Sequence, residues 1–252
     1  MSDTGVTTSR NGIQVIARAA AVLRALKGSQ TGMSLGQIAE QVSLPRSTVQ
    51  RIVGALQAER LVIASSSGSG VRLGPELHAL AESARYTVVE TVRPLLLDLS
   101  RDTEETVDLS VMRGSNMIFL DQIPGTQRLR AVSAVGDIFP ITTTANGKAC
   151  LATMDDGAIA KLVEEEWERN GTTRNFADLM EEIREIRRSG VAFDRDEHTD
   201  GICAVGIAFS DWKGDRYAIS VPIPTNRFAE NSGKVVEAVK RFRRQITAMM
   251  AR

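Results

Sequence analysis

Aromatic side chains make up only 4% of this 252-residue chain, so stacking on single-stranded nucleic acid is not its main business. Cysteine occurs twice, at Cys150 and Cys203, far apart and in no metal-ligand spacing. That argues against a disulfide framework and fits a reducing compartment. Histidine also occurs only twice, at His78 and His198, which leaves little material for acid–base chemistry. The first residues are polar with no apolar run of the signal-peptide kind, and no stretch approaches the length of a membrane span. The expectation is a soluble cytoplasmic protein with no membrane partner. Net charge is missing as well, with 31 basic residues against 31 acidic ones, and by itself this suggests no polyanionic partner.

The distribution of charge says otherwise. Residues 1–75 carry eight basic side chains against three acidic ones, a net of +5, which leaves −5 for residues 76–252. A basic module carried by an acidic one is the expected arrangement. At 252 residues, the chain has room for two modest domains with cores of their own.

The basic module is organised around Ser34 to Glu59, SLGQIAEQVSLPRSTVQRIVGALQAE. Leu35, Ile38, Ala39 and Val42 share one face of a short helix. Ser34 followed by Gln37 has the form of a capping box. Val49, Ile52, Val53 and Leu56 repeat the spacing in a second helix, with Ser43 as its expected N-cap and Pro45 in its first turn. Opposite that second stripe lie Arg46, Ser47, Gln50 and Arg51, with Thr48 beside them. Guanidinium, hydroxyl and amide groups are the chemistry that phosphates and base edges require. Helical pairs with short loops also occur in proteins that never touch DNA, so the flanking segments matter. Met1 to Asn11 is polar and expected to be disordered, with Arg10 as a flexible basic arm. A helix over Ile13–Lys27 presents Ile16, Ala19, Ala20, Leu23 and Leu26. After the pair, Arg60–Ile63 and Val71–Leu73 read as strands around a Ser/Gly turn, a hairpin placed like the wing of a winged helix-turn-helix. The turn leads into a strand, not a helix, so it is no phosphate loop.

Pro75 to Tyr86 returns to helical spacing and reads as a connecting helix. Another helix spans Thr87–Arg101, with a kink or restart expected at Pro94. Strand patterns follow at Thr106–Val111, Met117–Ile123 and Leu129–Ser133. Short helices lie between Ala145 and Ala160, and a charged one over Asp178–Ser189. Strands return at Cys203–Phe209 and Tyr217–Ile223, and a helix from about Gly233 closes the chain. The second domain is therefore expected to be an antiparallel sheet flanked by helices, and the whole chain α+β.

These segments carry a resemblance. LGQIAEQVSLPRSTVQRIVGALQAERLV (Leu35–Val62), TANGKACLA (Thr144–Ala152), EIRRSGVAFDRDEHTDGICAVGIAFSD (Glu185–Asp211) and AISVPIPTNRF (Ala218–Phe228) stand in the order found in the IclR family of bacterial transcriptional regulators. The resemblance covers the chain from about Ile13 onward. It implies a winged helix-turn-helix DNA-binding domain over residues 10–75, a linker helix over 76–90 and a GAF-like effector-binding domain over 91–252. It also implies binding to a double-stranded DNA operator, homodimers that often pair into tetramers, and a small organic effector, a carboxylate or aromatic catabolite, that modulates operator binding. Carried over position by position, the DNA contacts would be Arg46, Ser47, Thr48, Gln50 and Arg51, with Arg18 and the wing residue Arg72 on phosphates. The effector contacts would come from Asn146, Gly147, Asp194, Cys203 and Ser220. Two departures fall on the expected pocket wall. One residue fewer separates Gly201 from Cys203 than is usual in the family, and Pro222 stands where the family often has small or hydroxyl residues.

Other chemistry was weighed on the same residues. Gly147-Lys148 fails as a P-loop, because Thr142 and Ala149 occupy the positions that need glycine and a hydroxyl. A better expectation is that Gly147 opens a short helix whose free N–H groups can hold a carboxylate, or that it marks a plain loop-to-helix junction. Asp194, Asp196, Glu197, His198 and Asp200 fit no metal-site spacing and read as a solvated acidic loop. Cys203 or Cys150 with His198 can be drawn as nucleophile and base, and a small-molecule-binding module or an enzyme using Cys203, His198 and Asp194 is the alternative function. Nothing around these cysteines resembles an activated thiol, so each is read as a small apolar strand residue. No catalytic residue, metal or cofactor is expected.

Overall fold

The computed structural model describes residues 7–27, 29, 31–65, 70–83, 87–171 and 174–250. The chain divides into two compact units, residues 1–85 and 86–252.

The first unit holds helices α1 (Thr7–Leu26), α2 (Leu35–Gln41) and α3 (Arg46–Ala58), the hairpin β1 (Val62–Ala64) and β2 (Val71–Leu73), and α4 (Pro75–Ser83). The capping box forms, with the Gln37 amide donating to Ser34 Oγ at 3.3 Å and the Ser34 amide to Gln37 Oε1 at 2.8 Å. The apolar stripe of α3 is buried as its spacing predicts and packs with Val22, Leu26, Ile38, Val62 and Val71. β1 and β2 pair antiparallel through Ile63 and Arg72, and Met33 bridges to Val71.

Three expectations need correction in this unit. The first helix begins at Thr7, so Arg10 is helical; residues 1–6 lie outside the described residues. Its buried face centres on Val22, Ala25 and Leu26, while Val15 and Ile16 are 54% and 72% exposed. Ser43 does not cap α3. It turns the chain at φ 52° and leaves Pro45 as the N-cap, which has no side-chain oxygen to offer the first amides. The connecting segment is helical over Pro75–Ser83, and residues 84–86 are outside the described residues.

The second unit is a six-stranded, wholly antiparallel sheet ordered β5-β4-β3-β8-β7-β6. Its strands are β3 (Val107–Arg113), β4 (Asn116–Ile123), β5 (Ile138–Phe139), β6 (Ala192–Thr199), β7 (Ile202–Ser210) and β8 (Arg216–Pro224). Alternate residues serve two cores. Val107, Leu109, Val205, Ile207, Ile219 and Val221 face the helices α5 (Thr87–Thr103) and α9 (Thr225–Met250). On the other face, Met112, Met117, Ala192 and Ala218 pack under α6 (Ala145–Leu151), α7 (Asp156–Asn170) and α8 (Phe176–Ser189). The α+β expectation holds, with four corrections. Leu129–Ser133 is not a strand; β4 pairs instead with the two-residue β5. β6 occupies the stretch read as an acidic loop, an edge strand whose charged residues hide its periodicity. α5 continues through Pro94, which is exposed, so that water can replace the lost backbone bond. α9 starts eight residues before Gly233.

Two buried charged side chains hold the segments around α6. Glu166 of α7, 1% exposed, accepts hydrogen bonds from the Ile141 amide and the Thr142 hydroxyl in the turn before α6. Lys148, also 1% exposed, donates to Glu182 of α8 at 2.9 Å and to Glu197 of β6 at 2.6 Å. Gly147 lies so close to that turn that an added Cβ would stand 2.4 Å from Ile141 Cα. A Gly147→Ala substitution is therefore expected to destabilise the protein by about 1–3 kcal/mol. Denaturant unfolding with an unchanged midpoint would show that the α6 junction has slack.

Candidate functional site

Two surfaces combine candidate residues. The first is the outer face of α3. Its inner residues Val49, Ile52, Val53 and Leu56 are buried, which turns Arg46, Ser47, Gln50 and Arg51 outward; all four are exposed and Thr48 is half-buried. Arg72 is exposed on β2, and Arg18 is half-buried on α1. Among the described residues, none of these four guanidinium groups has an ion-pair partner, whereas Arg60 of the same unit pairs with Glu76 at 3.6 Å. In the second unit Arg93, Arg101, Arg113, Arg174, Arg187, Arg188, Arg227 and Arg241 are paired with carboxylates, while Arg169, Arg216 and Arg243 bond to hydroxyl or carbonyl oxygens. Unneutralised cations beside hydroxyl and amide groups on one exposed helix face can bind a polyanion and its base edges.

The second surface is a cavity of about 120 Å³ on the α6 side of the sheet. Asp108 of β3, Phe119 of β4, Phe139 of β5, Asp194 and His198 of β6, Ala204 of β7, and Ser220 and Pro222 of β8 form its floor and walls. Thr144, Ala145 and Asn146 approach from the start of α6, and residues 131–133 reach the rim. The register explains the gathering: Asp108 stands opposite Ser220, Gly206 opposite Ser220, and Asp194 opposite Ala204, so one stripe across four strands faces the same space. Phe139 packs on Phe119 and on His198, with ring centroids 4.6 and 4.5 Å apart, which gives the cavity an aromatic wall.

Burial controls the ionisation of this space. It pushes Asp108 up to about 7, against the lowering effect of hydrogen bonds from Gln122 (2.7 Å) and Ser133 (3.5 Å). It pushes Asp194 up to about 6, although the Glu197 amide donates to it at 2.9 Å. His198 is shifted down by the same burial, toward the neutral imidazole.

Asn146, Asp194 and Ser220 line the cavity, and Gly147 and Cys203 do not. Gly147 packs on Ile141, and its amide is taken by Thr144 Oγ1 at 3.2 Å and Asn146 Oδ1 at 2.9 Å. Of the amides expected to hold a carboxylate, that of Gly147 is thus already satisfied. Cys203 follows the strand alternation to the opposite face, where its sulfur lies 3.8 Å from Thr225 Oγ1. It cannot be paired with His198 across the sheet, and Cys150 is wholly buried with its thiol pushed up to about 12. Among the described residues no group of carboxylates, histidines and cysteines could hold a metal ion. No helix among them is long and apolar enough to cross a membrane. The sequence reading missed Asp108, Phe119, Phe139 and Thr144. Asp108 alone carried a signal: an acid on the alternation of an otherwise buried strand.

The comparison with known proteins covers both units. The IclR helix-turn-helix domain matches residues 15–63, and the IclR C-terminal domain of bacterial transcriptional regulators matches residues 81–248. The HTH-type transcriptional regulator Rv1719 of Mycobacterium tuberculosis is 42% identical over 92% of this chain and 90% of its own length. The HTH-type transcriptional regulator TtgV of Pseudomonas putida is 37% identical over 96% of this chain and 93% of its own. Among solved structures, an IclR homologue from Microbacterium hydrocarbonoxydans complexed with 4-hydroxybenzoate superposes with a TM-score of 0.67. It covers 92% of this chain and 99% of its own at 18% identity, a likeness of fold.

Asp108 gives the site a pH signature. A carboxyl raised from 3.8 to about 7 by folding binds its proton more tightly in the folded state, so stability is lost as pH rises through that interval. Asp108→Asn removes the charge and keeps an acceptor for Gln122. The stability of this variant relative to the parent, followed by denaturant titration, should increase as pH is raised from 3.8 to about 7. A difference independent of pH would contradict the burial of that charge.

Proposed function

Because the chain belongs to the IclR family of bacterial transcriptional regulators, we propose that it grips operator DNA through the outer face of α3 and reads a small organic effector in the cavity beside α6. The observation that carries the first half is the outer face of α3, where Arg46 and Arg51, with no ion-pair partner among the described residues, stand beside Ser47 and Gln50 opposite the buried stripe. Arg46, Ser47, Thr48, Gln50 and Arg51 enter the major groove, while Arg18 and Arg72 bind phosphates. A homodimer places two such helices on the two halves of an operator, and pairs of dimers make tetramers. The exposed Val15 and Ile16 on α1 support a partner helix there. The working compartment is the cytoplasm, and the relatives being regulators supports a role without catalysis.

The effector reading rests on the cavity. Asn146, Asp194, Ser220, Asp108 and His198 offer polar contacts, and Phe119 and Phe139 offer ring faces. Its volume of about 120 Å³, below the roughly 150 Å³ of a cavity known to hold benzene, limits the effector to about one ring, and the faces of Phe119 and Phe139 favour the aromatic class. A ligand that binds one conformation better than another shifts the population that holds DNA. Gly147 and Cys203 act in this account only by packing.

In a gel-shift assay with DNA from upstream of this gene and its neighbours, Arg51→Ala should weaken binding by roughly tenfold and flatten its salt dependence. Ser220→Phe, which fills the cavity, should leave DNA affinity intact and abolish any ligand response. Absence of a shift at low salt with every such fragment would sink the proposal.

A further inference from the structure

The cavity is built from acceptors. Asp108 and Asp194 stand on its wall, buried to 2% and 5% exposure, and among the described lining residues there is no lysine or arginine. The ammonium of Lys148 belongs to the same region but not to the lining, and Glu182 and Glu197 hold it at 2.9 and 2.6 Å. Several donors that an anion would use are engaged. The Gly147 amide is capped, the Asn146 amide group donates to Ser110 Oγ at 3.1 Å, and Thr144 donates to the Pro140 carbonyl at 2.6 Å. At Pro222 of the lining the backbone has no N–H. Ser220, His198, Thr199, the second amide hydrogen of Asn146 and the opening backbone amides of α6 remain as donors, all of them neutral or shifted toward neutrality.

From this arrangement we infer that the cavity takes a single-ring ligand carrying a hydroxyl or amino donor and excludes a carboxylate. The ring lies against Phe119, Phe139 and His198, and the donor points to Asp108 or Asp194. Bringing a third carboxylate into a buried space that already holds two costs both desolvation and like-charge repulsion. The upward shift of the Asp108 and Asp194 carboxyls by burial reports the same resistance to negative charge. A hydroxyl or ammonium group gains instead a charge-assisted hydrogen bond. The inference deepens the effector reading above and rests on it.

Three probes of nearly equal shape separate the possibilities: benzyl alcohol, benzylamine and benzoate, titrated into the full chain by calorimetry at about pH 8, above the shifted values of about 7 and about 6 at which Asp108 and Asp194 ionise. The alcohol and the amine should bind, and benzoate should bind at least roughly tenfold more weakly. In the double variant Asp108→Asn, Asp194→Asn, the discrimination should collapse through a gain for benzoate. If those substitutions prevent folding, the comparison on the parent protein decides alone. Benzoate binding as tightly as the alcohol, or no binding of any probe at millimolar concentration, would overturn the inference. Tight benzoate binding that Ser220→Phe abolishes overturns the ligand class and keeps the cavity. Binding of any probe that Ser220→Phe leaves unchanged removes the cavity reading itself, and this inference with it.

Discussion

In an antiparallel sheet covered on both faces, every strand residue is committed to one core or the other, and an extra residue reverses the commitment for all that follow. The second unit depends on this. β3 sends Leu109 to the α5/α9 side and Asp108 and Ser110 to the α6 side. Opposite them, β4 is irregular between the Leu109 and Ser110 pairings. Leu120 and Asp121 consequently face the same helices, and Asp121 meets Arg93 of α5. Gln122 is thereby turned to the cavity side, where it holds Asp108. Without that bulge Phe119 and Gln122 could not both face the ligand space. The pleat also takes Cys203 away from it and leaves its neighbours Ile202 and Ala204 inside.

The two units use charge in opposite ways. In the second, buried charges are spent on architecture. Glu105 is fully buried and bound in a fork by Arg227 at 2.6 and 2.7 Å, and Lys148 ties α6 to α8 and β6. Removing one member of such a pair strands a charge in a dry interior, so these contacts fix geometry. In the first unit the core is small, and the arginines of α3 are turned outward with no ion-pair partner among the described residues. A core of this kind fixes the shape of the outer face of α3, which the proposal above assigns to DNA.

How much of this was legible in the sequence follows from how much each element depends on its own residues. The capping box of Ser34 and Gln37 and the stripe of Val49, Ile52, Val53 and Leu56 are local and could be read directly. β7 and β8 are central strands buried on both faces, and their apolar runs announce them. β6 lies at the sheet edge and carries Asp194, Arg195, Asp196, Glu197 and His198, so its strand character is supplied by pairing with β7. The run Leu129–Ser133 resembles a short strand, yet its Leu129 and Val132 stay exposed, because the neighbouring edge of β4 is taken by Ile138 and Phe139. Ser43 looked like a cap, but the left-handed turn it makes passes that position to Pro45. For the cavity, the residues matched to the family's motifs supplied Asn146, Asp194 and Ser220. Asp108, Phe119 and Phe139 arrive through sheet register, which no short motif encodes.

Regulation requires that ligand and DNA influence one another's affinity, and thermodynamic linkage requires the influence to be reciprocal. The most direct test is the affinity of the full chain for benzyl alcohol, measured alone and with saturating operator DNA. The account predicts that DNA changes that affinity by the same factor by which the alcohol changes DNA affinity, and that Ser220→Phe removes both effects. Equal affinity for the alcohol with and without DNA would show that the cavity and α3 are uncoupled, and would contradict it.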